Sequence, residues 1–349
     1  MKKLLKVALA AAMTVGLVAC SGGNQGGDST ETKTYGFVTD TGGINDRSFN
    51  QTSWEGLKKY CEEAGLTEGT DYSYVISEKE SDYVPNLTGF AGKDLVVAAG
   101  FLFEKAITET ADQYPDQKML IIDVASIDPE KYPNVQQAVF NEHEGSYLVG
   151  VAAASMAKKA GKDTVGMIIG MESETMNKFW AGYQQGVYSV DPDMKILYDN
   201  VNDFSSQEKG KTAAAKQYDN GAYVIYHAAG GSGMGAINEA ASRRDAGEDV
   251  WVIGVDTDQY EYGKYGDGTQ SAVLTSMLKR VDVAAYNAAK AIAEGTFKGG
   301  VVRYSLAEGG VGIPENNPSM PEDVKKAVDE AYNAIKEGKV TVTETYEAK

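Results

Sequence analysis

Short apolar segments alternate with amphipathic segments along the chain from Tyr35 onwards. The amphipathic segments repeat with a helical period, and the longest of them predict helices over Ser48–Ala64, Glu144–Lys159, Lys279–Glu294 and Pro321–Lys336. The apolar runs predict strands at Tyr35–Asp40, Tyr72–Ser77, Leu95–Ala99, Met119–Val124, Val135–Phe140, Val165–Ile169, Lys195–Tyr198, Tyr223–Tyr226, Trp251–Val255, Ala272–Thr275 and Val301–Leu306. This rhythm indicates an α/β fold with parallel sheets that carry helices on both faces.

The alternation of predicted strands and helices runs once up to Phe140 and then begins again, which indicates two sheets. The roughly 315 residues that follow residue 34 exceed what a single hydrophobic core usually supports. Hydrophobic residues make up 42% of the chain, which is enough apolar material for two cores. We therefore expect two lobes.

The amino terminus predicts an exported protein. Three lysines near the start precede an uncharged apolar run from Val7 to Ala19, which predicts a signal peptide over residues 1–19. The run is shorter than the roughly 20 residues that a membrane-spanning helix needs. It ends in Leu17–Cys20, which resembles the lipobox of bacterial lipoproteins and implies a lipid on Cys20. The alternative is an ordinary secretory signal that has a cysteine there by chance.

The mature chain is acidic and begins with a tether. Residues 20–34 have no apolar side chain after Cys20 and are predicted to form a flexible linker. Loss of the three lysines of residues 1–19 takes the formal net charge from −17 to −20. Such a surface repels nucleic acid and anionic lipid, which leaves the lipid chain as the membrane attachment. Cys61 is the only other cysteine, so no disulfide is expected.

Acids and glycines recur at the ends of the predicted strands. Asp40, Asp123 and Asp256 lie at three of these ends, and the glycine-rich segment Gly230–Gly235 follows another strand. Ligands of such sheets bind beyond the carboxyl ends of the strands, so these residues are candidates for a site. A turn or a helix cap is the alternative for each acid. The glycine segment only loosely fits a dinucleotide fingerprint, and we interpret it as backbone N–H groups that face ligand oxygens at a helix start.

Five ordered motifs carry a resemblance to a known family. They are Gly42–Gln51, Glu144–Gly150, Ala229–Gly235, Gly254–Gln259 and Leu274–Lys279. In these motifs the chain resembles the basic membrane protein family of ABC-transporter lipoproteins, which includes the PnrA-like purine nucleoside receptors. The resemblance implies a type I periplasmic-binding-protein fold, in which two Rossmann-like lobes joined by three crossings close on a solute. It implies a first lobe of 35–142 plus 274–300 and a second lobe of 143–273 plus 301–349.

The same resemblance implies that the protein is anchored to the cell membrane on its extracytoplasmic face through Cys20. There it would capture a nucleoside of the adenosine, guanosine and inosine class and deliver it to an ABC permease. The resemblance implies a binding protein rather than an enzyme, with no catalytic residue, no cofactor and no metal. We expect a monomer.

The resemblance also implies a set of binding residues. These are Asp40, Phe49, Asn50, Asp123, Tyr226, Gly230, Gly231, Asp256 and Lys279. Phe49 would stack on the purine ring, while Asp40 and Asp123 would accept hydrogen bonds from the edge of the base. Asp256 and Lys279 would bind the sugar hydroxyls. The alternative for Lys279 is a solvated lysine at a helix start.

Several residues are candidates for the second aromatic wall of the site. Either Tyr226 or His227 could supply it, because an error of one residue in register reverses the face to which a strand residue points. Phe179 and Trp180 are further candidates, with a role in the core as their alternative. Thr41 stands where the purine receptors have an asparagine, which leaves the contacts to the base open.

Three rival functions are considered beside nucleoside transport. A nucleoside hydrolase also has an acidic loop after its first strand, but a calcium site needs several carboxylates, and Gly42 and Arg47 stand where further acids would be required. The two histidines, His143 and His227, belong to no recognisable nucleophile arrangement. A receptor for riboflavin or another small solute, and a lipid-anchored sensor or regulator, would use the same two lobes.

Overall fold

The computed structural model describes residues 32–346. The predicted signal peptide, the lipidation site Cys20 and nearly all of the predicted tether lie outside these residues. Within the described part of the chain, no helix combines the length and the apolar character that a membrane crossing requires.

The strands and helices alternate as the sequence pattern predicts. The strands are β1 Tyr35–Val38, β2 Tyr72–Val75, β3 Leu95–Ala98, β4 Met119–Ile122, β5 Val135–Phe140, β6 Thr164–Ile169, β7 Lys195–Asn200, β8 Val224–Ala228, β9 Trp251–Asp256, β10 Lys264–Tyr265, β11 Gln270–Ser271, β12 Val273–Lys279, β13 Gly300–Tyr304 and β14 Val311–Gly312. The helices are α1 Phe49–Glu63, α2 Tyr83–Gly89, α3 Glu104–Gln113, α4 Glu142–Lys159, α5 Glu174–Val190, α6 Gln207–Asp219, α7 Gly230–Asp245, α8 Val281–Ala293 and α9 Glu322–Lys336. Short 3₁₀ turns occupy Glu80–Asp82, Phe101–Phe103 and Tyr260–Gly263.

Two six-stranded sheets form the framework. The first has the order β2-β1-β3-β4-β5-β13 and is parallel throughout. The second has the order β7-β6-β8-β9-β12-β14 and is parallel except for β14. Strands β1, β3, β4, β6 and β9 are buried along their whole length, because helices cover both faces of each sheet. The predicted α/β fold with two Rossmann-like halves is confirmed.

In each sheet the strand order reverses once, between β1 and β3 in the first sheet and between β6 and β8 in the second. At such a point the connections on the two sides run in opposite directions and leave a crevice beyond the carboxyl ends of the strands. The residues that follow these four strands are therefore placed to contact a ligand.

The chain passes between the two sheets three times, after β5, after β12 and after β13. After the second crossing, α8 returns to the first sheet and packs on α1 so closely that Gly56 has no room for a side chain against the backbone of Asp282. After the third crossing, α9 packs on α4.

Strand pairing corrects the expected lobe segments at two points. Residues 274–300 were expected in the first lobe, but β12 pairs with β9 in the second sheet. Residues 301–349 were expected in the second lobe, but β13 pairs with β5 in the first sheet. An apolar run predicts a buried strand without specifying its neighbour, so the assignment of these two strands depended on tertiary contacts that the pattern does not contain.

One helix boundary changes the environment of a site residue. The predicted helix from Lys279 begins at Val281, and Lys279 is instead the last residue of β12. The strand extends this far because Lys279 pairs with Val311 of β14, one residue beyond the last pair with β9, which is Leu278 with Asp256. Lys279 is therefore a strand-end residue that is 1% exposed, and not a solvated lysine at a helix start.

Candidate functional site

A cavity lies between the carboxyl ends of the two sheets, and its unoccupied space is about 490 Å³ when the part open to solvent is included. Both sheets contribute to its wall. The lining residues are Asp40, Asp46, Phe49, Asn50, Gly100, Phe101, Asp123, Met176, Phe179, Phe204, Ala228, Ala229, Gly230, Val255, Asp256 and Lys279.

Asp46 fixes the start of α1. Its carboxylate accepts hydrogen bonds from the backbone N–H groups of Ser48 at 3.0 Å, Asn50 at 2.8 Å and Gln51 at 3.1 Å. The first N–H groups of a helix lack partners within the helix, and Asp46 supplies them. Phe49 is the first residue of α1, so this cap determines where its ring enters the cavity.

Asn50 holds the carboxylate of Asp40 in place. The Asn50 amide donates to Asp40 Oδ1 at 2.8 Å and to Asp46 Oδ2 at 3.0 Å, and its oxygen accepts the backbone N–H of Asp40 at 3.1 Å. Gly42 N–H also donates to Asp40 Oδ1, at 2.8 Å. Since these bonds occupy Oδ1 of Asp40, Oδ2 is the oxygen left to meet a ligand, and Asn50 acts through Asp40.

The Asp40 carboxyl is held in an unfavourable place for a charge. Burial raises its pKa from 3.8 to about 7, although the hydrogen bonds from Asn50 and Gly42 act in the opposite direction. A carboxylate that is desolvated in this way gains from any N–H or O–H donor that a solute brings.

Lys279 is the lysine of the cavity wall. Its ammonium group is 2.6 Å from Asp123 and 3.0 Å from Glu142, and it lies about 5.3 Å from the ring centroids of Phe49 and Phe140. Burial alone would lower the pKa of Lys279, but the nearby carboxylates outweigh burial and raise it. Lys279 is therefore charged. Burial raises the pKa of Glu142, although the charge of Lys279 acts to lower it.

Two aspartates at strand ends have left-handed backbones. Asp123, directly after β4, has φ 70°, and Asp256, the last residue of β9, has φ 67°. Such angles cost a residue other than glycine on the order of 1 kcal/mol and are often found at functional sites. Ser48 donates its hydroxyl hydrogen to Oδ2 of Asp256. Burial raises the pKa of Asp256 to about 7, while Lys279 and Ser48 act to lower it.

Aromatic side chains from both halves complete the wall. Phe101 follows β3 and Phe204 lies between β7 and α6, and their rings meet edge to face with centroids 6.1 Å apart. Phe204 is fixed because its carbonyl accepts the N–H of Ser232 at 3.1 Å and because its ring fills the space beside Gly170. Phe101 follows a predicted strand end but was not among the predicted binding residues, and Phe204 was missed. The glycine that directly follows β6 was the available signal for the position of the Phe204 ring.

The structure brings most of the predicted binding residues together in this cavity. Those that line it are Asp40, Phe49, Asn50, Asp123, Gly230, Asp256 and Lys279. Sequence reasoning also missed Glu142, which pairs with Lys279 behind the cavity wall.

Two predicted binding residues do not line the cavity. Tyr226 is fully buried beside Tyr183, with ring centroids 5.3 Å apart, and its hydroxyl lies 3.4 Å from Ser146. Gly231 is the second residue of α7 and lies behind Phe204. His227 is also fully buried and packs against Gly233, so neither Tyr226 nor His227 supplies the second aromatic wall. Strand β8 lies inside its sheet, and both faces of it contact protein.

The arrangement suits a flat solute with several hydrogen-bond donors. Carboxylates outnumber the single ammonium group in the wall, and aromatic rings offer a stacking surface. Among residues 32–346, no group of three or more His, Cys, Asp and Glu side chains is arranged to hold a metal ion.

Comparison with known proteins assigns the family. The family described as "ABC transporter substrate-binding protein PnrA-like" matches residues 33–344, nearly the whole described chain. The chain belongs to the PnrA-like family. It is therefore a solute-binding protein and not an enzyme, which removes the nucleoside hydrolase from the candidate functions.

Individual relatives agree with this assignment. The chain is 38% identical to the "ABC transporter nucleoside-binding protein BmpA" of Lactococcus lactis, over 98% of this chain and 99% of that protein. It is 32% identical to an uncharacterized lipoprotein of Pyrococcus abyssi, over 89% of this chain and 77% of that protein. A crystal structure of an ABC transporter solute-binding protein from Aeropyrum pernix has a TM-score of 0.79 and 27% identity, over 90% of this chain and 94% of that one.

The raised pKa of Asp256 predicts how stability depends on pH. Between about pH 4 and pH 7 the Asp256 carboxyl is more protonated in the folded state than in the unfolded state, so its contribution to the free energy of unfolding of the solute-free protein falls as pH rises. Asp256→Asn removes the desolvated charge and should stabilise this PnrA-like protein at pH 8 by about 2 to 4 kcal/mol. Urea denaturation at pH 4 and pH 8 measures the difference.

The matched control for this prediction is Asp258→Asn, an exposed carboxylate two residues away. It should leave the pH dependence of unfolding unchanged. Parallel stability curves for wild type and Asp256→Asn would show that Asp256 is not desolvated.

Proposed function

We propose that this substrate-binding protein captures a nucleoside, with purine nucleosides as its preferred class, and delivers it to an ABC permease. One observation carries the proposal: aromatic rings and buried carboxylates line the same cavity at the carboxyl ends of two sheets. The nucleoside-binding protein of Lactococcus lactis, to which this chain is similar over almost its entire length, supports the same class of solute.

The base is proposed to stack on Phe49. Gly100 lies beside both groups, because a Cβ atom added there would be only 3.2 Å from Asp40 Oδ2 and 3.4 Å from the Phe49 ring. A base on Phe49 therefore has its edge within reach of Asp40, whose free oxygen accepts from a ring N–H or an exocyclic amino group. Stacking of this kind contributes on the order of 1 to 3 kcal/mol per base.

The sugar is proposed to bind at Asp256 and Lys279. The carboxylate of Asp256 accepts hydrogen bonds from vicinal hydroxyl groups, and the ammonium of Lys279 donates to a hydroxyl oxygen. Gly230 begins α7 beside these residues, so its backbone approaches the solute without a side chain between them.

The membrane attachment is proposed to be a lipid on Cys20. Relatives of this chain are named lipoproteins, in keeping with an extracellular protein that is held at the membrane. Residues 17–20 have the lipobox pattern, and the acidic mature chain has no charge attraction of its own for anionic lipid.

Calorimetric titration tests the solute class. Refolded, solute-free protein should bind adenosine, guanosine or inosine more tightly than cytidine or uridine, because a purine covers more of the Phe49 ring. Riboflavin and arabinose serve as comparison solutes. Binding of riboflavin or arabinose with failure of all nucleosides would show that the proposed solute class is wrong.

Phe49→Ala tests stacking. The variant should bind the preferred nucleoside at least about tenfold more weakly, because the ring loses its stacking partner. Phe49→Trp keeps an aromatic face and should retain most of the affinity. Unchanged affinity in Phe49→Ala, measured by the same titration, would remove stacking from the site.

Cys20→Ala tests the anchor. Cells that express the wild type should keep the protein in the membrane fraction and label it with radioactive palmitate, whereas the variant should lose the label, because only the thiol accepts the lipid. Cys61→Ala is the control and should keep the label. Labelling of Cys20→Ala would show that the lipid is attached elsewhere.

A further inference from the structure

Two loops from opposite sheets meet at the edge of the cavity. Arg47 and Ser48 precede α1 on the first sheet, whereas Asp256, Gln259 and Tyr262 lie at and after the end of β9 on the second. Ser48 donates to Asp256, the side-chain amide of Gln259 donates to the backbone oxygen of Arg47 at 3.0 Å, and the Arg47 guanidinium lies 4.8 Å from the ring centroid of Tyr262. Only Asp256 of these five residues lines the cavity.

Gln259 is held in one orientation. Its side-chain oxygen accepts the backbone N–H of Val255 at 2.9 Å, and its own backbone N–H donates to Ser276 at 3.0 Å. Gly254 leaves the necessary space, because a side chain there would lie within 2.5 Å of the Gln259 oxygen. The side chain is fully buried, and its amide nitrogen is directed at the first half of the molecule.

Arg47 holds a backbone angle that arginine rarely adopts. Its φ of 54° is in the left-handed region, which side-chain-bearing residues avoid unless their surroundings hold them there. The hydrogen bond from Gln259 and the contact with Tyr262 both restrain Arg47 in this conformation. Ser48 and Phe49 follow directly, so the conformation of Arg47 determines how the Phe49 ring and the Ser48 hydroxyl face Asp256.

We propose that Gln259 and Arg47 are positioning residues of the solute site. They act through Phe49 and Asp256, hold the two sheets together on one side of the cavity and slow the release of the solute. The inference rests on the proposed function, since it requires a solute that is held between the two sheets.

Gln259→Met is the main test, because methionine has a similar length and cannot donate to Arg47. We expect release of radiolabelled guanosine, chased with unlabelled guanosine, to be about tenfold faster than in the wild type, since the variant loses the bond to the Arg47 oxygen together with the acceptor of the Val255 N–H. The association rate, obtained from this release rate and the equilibrium Kd, should stay within about twofold, because affinity changes within one interface arise mainly from dissociation.

Two further variants separate positioning from general stability. Gln185→Met removes an amide that bonds to Thr343 away from the cavity, and its release rate should match the wild type. Arg47→Gly accepts the left-handed angle and keeps the carbonyl group but loses the guanidinium, so it should release guanosine faster, whereas Arg47→Lys keeps a cation over Tyr262 and should restore slow release. An unchanged release rate in Gln259→Met, or equal acceleration in Gln185→Met, would overturn the proposal.

A second readout needs no solute. Hydrogen–deuterium exchange of residues 46–51 should be faster in Gln259→Met than in the wild type, while exchange of residues 343–346 stays the same. If the wild type binds no guanosine, the choice of guanosine as solute is wrong, and this exchange experiment alone decides the positioning role. Equal exchange of residues 46–51 in both proteins would then overturn it.

Discussion

The buried charge of Lys279 is the constraint on which the site depends. A charge in the interior is tolerated only with partners, and breaking such a pair commonly costs about 3 to 5 kcal/mol. Its partners come from different parts of the fold: Asp123 ends a strand of the first sheet, and Glu142 begins the helix that follows the first crossing. Lys279 itself ends β12, just before the second crossing. One cation thus joins a sheet of one half to two of the three connections between the halves.

The remaining carboxylates gain their binding capacity from this arrangement. Lys279 is closest to Asp123 and Glu142, so Asp40 and Asp256 are buried without a cation of their own in contact, and the pKa of each is raised to about 7. The protein alone supplies them with an amide, a hydroxyl and a backbone N–H. A neutral solute that is rich in hydrogen-bond donors offsets the desolvation of these carboxylates, whereas an apolar solute would exclude water and donate nothing. An acidic cavity therefore selects a donor-rich solute.

Sequence reasoning located the acids of the site for a simple physical reason. Parallel strands bring their carboxyl ends to one edge of a sheet, so Asp40 and Asp123 must lie near one another. Asp256 holds the equivalent place on the second sheet and lines the same cavity. The role of Phe49 was implied by the family resemblance of the motif Gly42–Gln51. The face of the sheet to which the Tyr226 side chain points could not be derived from the sequence. Alternation along a strand assigns a face only when the register and the covering helices are known.

Pairings that depend on the contact between the two sheets were missed, even where the residues lie in a motif that the sequence singled out. Glu142 pairs with a lysine 137 positions away in the chain, the difference between 142 and 279, and Phe204 meets Phe101 across the cavity. Gln259 reaches Arg47 in the same way. No local pattern encodes such pairs, since each member has an ordinary role on its own element. The exchange of β12 and β13 between the sheets escaped prediction for the same reason.

That exchange also bears on the order in which the molecule can assemble. The first sheet receives its last strand from Gly300–Tyr304 and the second from Val311–Gly312, so both stay incomplete until nearly the whole polypeptide is available. Contacts that distant in the chain form slowly, because a long loop must close before they stabilise anything. Strands β1 to β5 lie within residues 35–140 and need no later segment to pair, whereas the completion of both sheets waits until synthesis is almost finished.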